Sequence, residues 1–169
     1  FMPDDDLYVT SSIQPCINFL EKHSEYSGAL GSSAIITLKS EGAYGKFDHA
    51  GCYPLRGLEA NTAGQRLLDH CKSYSVIPYA IRRTGQFRES VKDYLFSADT
   101  IFALEFFPSM LLAVQGKVKK FDHLHLVRQD HAGRYSWLPQ GRELNDGISY
   151  TNMDWITNPR WTDYFDVFS

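Results

Sequence analysis

The chain has 169 residues, 43% of them hydrophobic and 14% aromatic, which fits one domain with a packed interior and excludes a disordered chain. A formal net charge of −3 leaves no electrostatic footprint for nucleic acid, so no nucleic-acid partner is expected. No apolar run reaches the roughly 20 residues that cross a bilayer, and no N-terminal apolar stretch marks a cleavable signal.

Phe1-Met2-Pro3 reads as an interior start or a cloning scar, so residues 1–169 are expected to be one catalytic-type domain of a larger protein. Ile13 to His23 fit a helix, with Ser11 or Ser12 as cap, Pro15 in the first turn and Ile13, Ile17 and Leu20 at helical spacing. Ser33 to Leu38 is a short β-branched run and reads as a strand. Gly42 to Gly57 is rich in glycine and reads as a loop. Leu58 to Ser73 patterns as an amphipathic helix, with Leu58, Leu67, Leu68 and Cys71 inward and Glu59, Arg66 and Lys72 outward. A strand is expected at Val76 to Ile81, a helix at Gln86 to Phe96 and a buried strand at Thr100 to Phe107. Met110 to Gln115 fits either helix or strand. Lys117, Lys119 and Lys120 read as a solvated turn before the next strand. The tail is dense in aromatics, from Trp155 to Phe168, and is expected to pack on the body.

Phe121 to Gly141 carries the most chemistry. It reads as a β-hairpin turning at Asp130-His131-Ala132-Gly133. Pairing Gln129 with Arg134 puts Gln140 opposite His123 and diagonal to His125, with these side chains on one face. Leu124 and Leu126 then point the other way, into the core. Cys16, at the start of the first helix, is the candidate nucleophile. A cysteine attacks as thiolate, an adjacent imidazole lowers its pKa and carries the proton, and a third polar group orients the imidazole. The helix N-terminus favours the anion. His125 is the first choice for general base and His123 its close rival. Gln140 is the first choice for the orienting group, followed by Asp146, Asn145 and Asp130. Gln14 can donate to an oxyanion.

This order of elements resembles the papain-like cysteine hydrolases: Cys16 at a helix start, a long helical insert, His125 on a strand, a glycine turn, then an aromatic strand ending in Gln140. Compact bacterial effector and toxin proteases and deamidases, the YopT-like proteases among them, are most similar. The resemblance implies an α+β, papain-like fold with N-terminal helices packed on a C-terminal antiparallel sheet. It further implies acyl transfer through a thioester, no cofactor, and a protein substrate, which includes a host protein. The stretch before Cys16 lacks the family's Gly/Asn-rich approach, and Gln replaces the commoner Asp or Asn as third residue.

Three thinly spread cysteines do not make a disulfide framework, so reduced thiols and a reducing compartment, such as a host cytosol, are expected. Cys52, with His125 or His49, is the alternative nucleophile. His49, Cys52, His70 and Cys71 could supply zinc ligands, but adjacent residues on a helix diverge by about 100°, so no metal site is expected. The competing reading for the whole chain is a non-enzymatic protein-binding α+β domain.

Overall fold

The computed structural model describes residues 6–39, 44–91 and 107–131. In chain order they form β1 (Leu7–Tyr8), a 3-10 turn (Thr10–Ser12), α1 (Ile13–Lys22), β2 (Tyr26–Leu38), β3 (Phe47–Tyr53) and α2 (Ala63–Lys72). A second 3-10 turn (Ile77–Tyr79), β4 (Ile81–Arg82), α3 (Thr84–Val91), α4 (Phe107–Gln115) and β5 (Lys117–Asp130) follow. The class is α+β.

The strands make one sheet in the order β1-β5-β2-β3, with β4 also paired to β2. β2 and β5 run parallel, from Tyr26 opposite Lys117 to Thr37 opposite Asp130. The other pairings are antiparallel. The sheet is therefore mixed, which corrects the expected antiparallel sheet. Nor does it gather at the C-terminal end, since strands and helices are interleaved from residue 7 onward. The reason is the connection: the chain leaves β2, passes through α2 and α4 and re-enters as β5, and such a crossover delivers a parallel strand.

Alternation along β2 assigns the two faces. A Cβ at Gly28 would meet Ala80 and Leu112, and Leu30 belongs to a core with Leu58, Ile77, Leu112, Val118 and Leu126. Ala29 packs instead with Cys16 and Leu20 of α1. So α4 covers one face, α1 covers the other, and α2 packs outside α4.

Arginines borrowed from other elements cap both covering helices. Arg66 donates to the carbonyls of Ala113 (2.8 Å) and Val114 (3.2 Å) near the end of α4, and also to Ala60 and Asn61. Arg83 donates to the carbonyls of Leu20 and His23 at the end of α1 and to Tyr26 (2.6 Å). Each guanidinium satisfies orphan carbonyls at the negative end of a helix dipole.

Several local expectations change. Residues 47–53, expected as loop, are β3, an exposed edge strand. The second helix starts at Ala63, and Leu58 instead bridges to Val118. Its face is also turned: Arg66 and His70 are buried while Leu68 is 45% exposed. The long polar side chain goes inward because α4 offers it carbonyls. Val76 to Ile81 is a 3-10 turn leading into β4, because Pro78 cannot donate to a strand ladder. Phe107 begins α4, and Met110 to Gln115 is helical. The three lysines lie on β5 itself, with Lys119 bonded to Glu59 and Lys117 to Asn61. The rest of the strand expected at Thr100 to Phe107, the end of the helix expected at Gln86 to Phe96, the hairpin's return strand and the aromatic tail lie outside the described residues.

Candidate functional site

α1 begins where expected, but Ser12 does not cap it. The preceding 3-10 turn continues into the helix, and Ser12 sits in helical backbone with no capping bond. Its hydroxyl donates to the Val9 carbonyl (2.7 Å) and faces His125 Nδ1 (2.8 Å). This turn sets Cys16 in the first turn of α1, against the sheet.

The pairing of β5 with β2 is irregular past Lys120. Leu30 pairs with Lys120 and Ser32 with Leu124, so β5 spends extra residues between them, and a further irregularity follows before Ser33 pairs with Leu126. Bulges of this kind re-aim side chains. Beyond Lys120, His125 and Leu126 are both fully buried, one toward each covered face, whereas Leu124, expected in the core, is 45% exposed. Gly31 makes room for the bulge. A Cβ there would lie 2.3 Å from the His123 carbonyl oxygen and 2.8 Å from His125 Cβ, distances no side chain tolerates.

The outcome is a convergence. The Cys16 sulfur and imidazole nitrogens of His123 and His125 all lie within 4.8 Å of one another. Phe121 stacks on His123 with ring centroids 5.3 Å apart, Phe19 meets Phe121 edge-on, and Tyr8 meets His125 edge-on. Cys16 and His125 are both 0% exposed. Burial pushes the Cys16 thiol up to about 11, so at neutral pH it rests protonated.

The hydrogen bonds of His125 hold a proton count. Its Nε2 lies 3.2 Å from the Tyr79 carbonyl, and its Nδ1 faces the Ser12 hydroxyl, which in turn reaches the Val9 carbonyl. Both carbonyls only accept. Filling all three contacts takes three protons, and a neutral imidazole plus a hydroxyl carry two. Protonating the ring would supply the third. Burial opposes that and lowers the pKa, the Tyr79 carbonyl works to raise it, and neighbouring His123 lowers it again. Desolvation is the largest of these, so the ring rests neutral. A neutral ring therefore leaves one of the three contacts without a proton. His123 Nε2 is also buried and has no hydrogen-bond partner.

Of the residues singled out from sequence, Cys16, His123 and His125 come together. Gln14 is exposed on α1 and donates its amide to Asn18 (2.8 Å). Gln140, Asn145 and Asp146 lie outside the described residues, and Asp130 ends β5. Cys52 is exposed on β3, His49 pairs with Asp48, and His70 and Cys71 sit on α2. None of these four joins a ligand-like cluster among the described residues. All three cysteines are free thiols. Ser12, Gly31 and the Tyr79 carbonyl were not anticipated as site components. A glycine inside a β pattern does signal close backbone approach, and Gly31 could have been found that way. The comparisons with known proteins return nothing: no family model, curated protein or solved structure matches this chain.

Proposed function

We propose that this chain is a cysteine hydrolase acting on amides of a protein substrate, as a protease or a glutamine amidase/deamidase of bacterial effector or toxin type. Its supporting observation is the convergence of the Cys16 sulfur with two imidazoles within 4.8 Å. Beyond about 7 Å no direct proton path would remain. In this reading the resting pair is neutral thiol and neutral imidazole. His125, or His123 through its free Nε2, takes the thiol proton as the sulfur attacks the amide carbonyl. The same ring returns the proton to the leaving amine, and water then cleaves the thioester. Gln14 keeps the oxyanion role that its place in the sequence suggests, its side-chain amide turning from Asn18 to donate. Gln140 keeps the orienting role that its place in the sequence suggests. A papain-like architecture belongs to the same proposal.

A second reading, a protein-binding domain with a core thiol, draws on one observation: Cys16 is completely buried and its thiol is pushed up rather than down. One experiment separates them. The native reduced protein is treated with an iodoacetamide probe and the adducts are mapped by mass spectrometry. Catalysis predicts that Cys16 is alkylated in the folded protein, that His125→Gln or His123→Gln slows this, and that ammonia or new peptide termini appear from a protein mixture with wild type but not with Cys16→Ala. Labelling of Cys16 only after denaturation would reject the hydrolase in favour of the binding domain.

A further inference from the structure

A thiol and two imidazoles that meet inside a protein can do more than pass a proton. We propose that Cys16, His123 and His125 form a binding site for a zinc-type divalent cation, and that an ion held there occupies the sulfur and silences it as a nucleophile. The binding stands on the cluster alone; the silencing rests on the hydrolase reading above.

The donor set is the first argument. One sulfur and two imidazole nitrogens suit a borderline-soft cation such as Zn2+ and are a poor match for Mg2+ or Ca2+. The second is geometry. Zinc binds sulfur at about 2.3 Å and imidazole nitrogen at about 2.0–2.1 Å, which sets tetrahedral donors roughly 3.5 Å apart. The three atoms already lie within 4.8 Å of one another, so small side-chain rotations close the site. α1 covers the sheet face that carries the two histidines, with Phe121 of β5 packed against the Cys16 cluster, so the three donors already face one another.

The third argument is the state of the nitrogens. His123 Nε2 is buried without a hydrogen-bond partner, a condition that costs about 1–3 kcal/mol unless something fills it. His125 Nδ1 faces Ser12 and its Nε2 faces the Tyr79 carbonyl, so an ion takes one nitrogen by displacing one contact while the other contact orients the ring. Metal-binding histidines are commonly fixed by such a second hydrogen bond. Binding breaks the Cys16 S–H bond, forms a sulfur–metal bond and releases the proton to solvent, with no change of oxidation state. Among the described residues no fourth thiol, imidazole or carboxylate joins the three, which leaves the fourth position to water.

The test titrates the reduced full chain with Co2+, a spectroscopic stand-in for zinc. The expected result is a thiolate-to-cobalt charge-transfer band with tetrahedral d–d bands, saturating at one ion per chain and displaced by Zn2+. The double variant Cys52→Ser/Cys71→Ser, which leaves Cys16 as the sole thiol, keeps the band, and Cys16→Ser loses it. His123→Gln, at a partly exposed position, weakens Zn2+ binding in competition with a chromophoric chelator by roughly tenfold or more. The proposal is overturned if wild type or the double variant shows no charge-transfer band, if the band survives in Cys16→Ser, or if His123→Gln binds as tightly as wild type. Zn2+ should also block alkylation of Cys16, and a chelator should restore it. Alkylation that continues at saturating Zn2+ would overturn the silencing. If Cys16 never reacts in the folded protein but the cobalt bands appear, the hydrolase reading fails and the metal site stands. Reactivity without bands gives the reverse.

Discussion

On the face covered by α4, the sheet contributes Leu30, Val118 and Leu126 to a continuous apolar core that also holds Ile77 and Leu112. On the face covered by α1, the same strands contribute Ala29, Gly31, His123 and His125, and the helix answers with Cys16. The first face is ordinary close packing, where stability scales with apolar area removed from water. The second buries little apolar volume and spends a strand irregularity, a glycine and a frustrated proton chain on bringing three reactive side chains together. The contrast teaches that one sheet can hold its stability on one side and its chemistry on the other.

Four measurements break or sharpen that contrast. The largest effect is expected on the apolar face: Leu112→Ala should cost about 3–4 kcal/mol in chemical denaturation while leaving Cys16 alkylation in the folded protein unchanged. If alkylation changes as much as stability does, the two faces are not separable. Gly31→Ala should cost about 2 kcal/mol, because the new Cβ meets backbone and must push β5 away. Here the site suffers more than the fold: selective labelling of Cys16 should be lost in protein that still unfolds cooperatively.

Ser12→Ala should cost about 1 kcal/mol and loosen His125 by removing the contact at Nδ1. NMR of the imidazole would then report a changed tautomer balance; an unchanged balance would dismiss the proton count. The last measurement varies pH and has no effect on the fold near neutrality. Burial raises the Cys16 thiol from 9.0 to about 11, so its folded state keeps a proton that the unfolded chain gives up. Stability from this group is complete below pH 9 and is lost as pH rises through about 11. Over the same window the alkylation rate of Cys16 should keep climbing, where an ordinary exposed thiol levels off near about 8.5. A plateau near that value would show the thiol to be less buried than described.

How much of this was legible beforehand depended on what local pattern can carry. α1 was readable because apolar spacing and an early proline are local signals. The strand carrying the two histidines was readable from Phe121 on, though not its start at Lys117, and the structure brings both rings near Cys16. β3 was missed because an exposed edge strand has no buried face to impose alternation. The burial of Arg66 was invisible because its partners, the carbonyls of Ala113 and Val114, are set by tertiary packing. Leu124 was misplaced because a strict period of two cannot anticipate a bulge. The parallel pairing of β2 with β5 depends on the whole crossover between them, which no short window contains.

That pairing also fixes when the site can exist. β2 and β5 join residues about ninety positions apart, and contacts of such long range close slowly, after local helices and neighbouring strands have formed. Cys16 leaves the ribosome about a hundred residues before its two histidines follow with β5, so the thiol is unpartnered over that interval. Reactivity is therefore timed as well as placed: whatever Cys16 does with His123 and His125 becomes possible only once β5 has paired with β2.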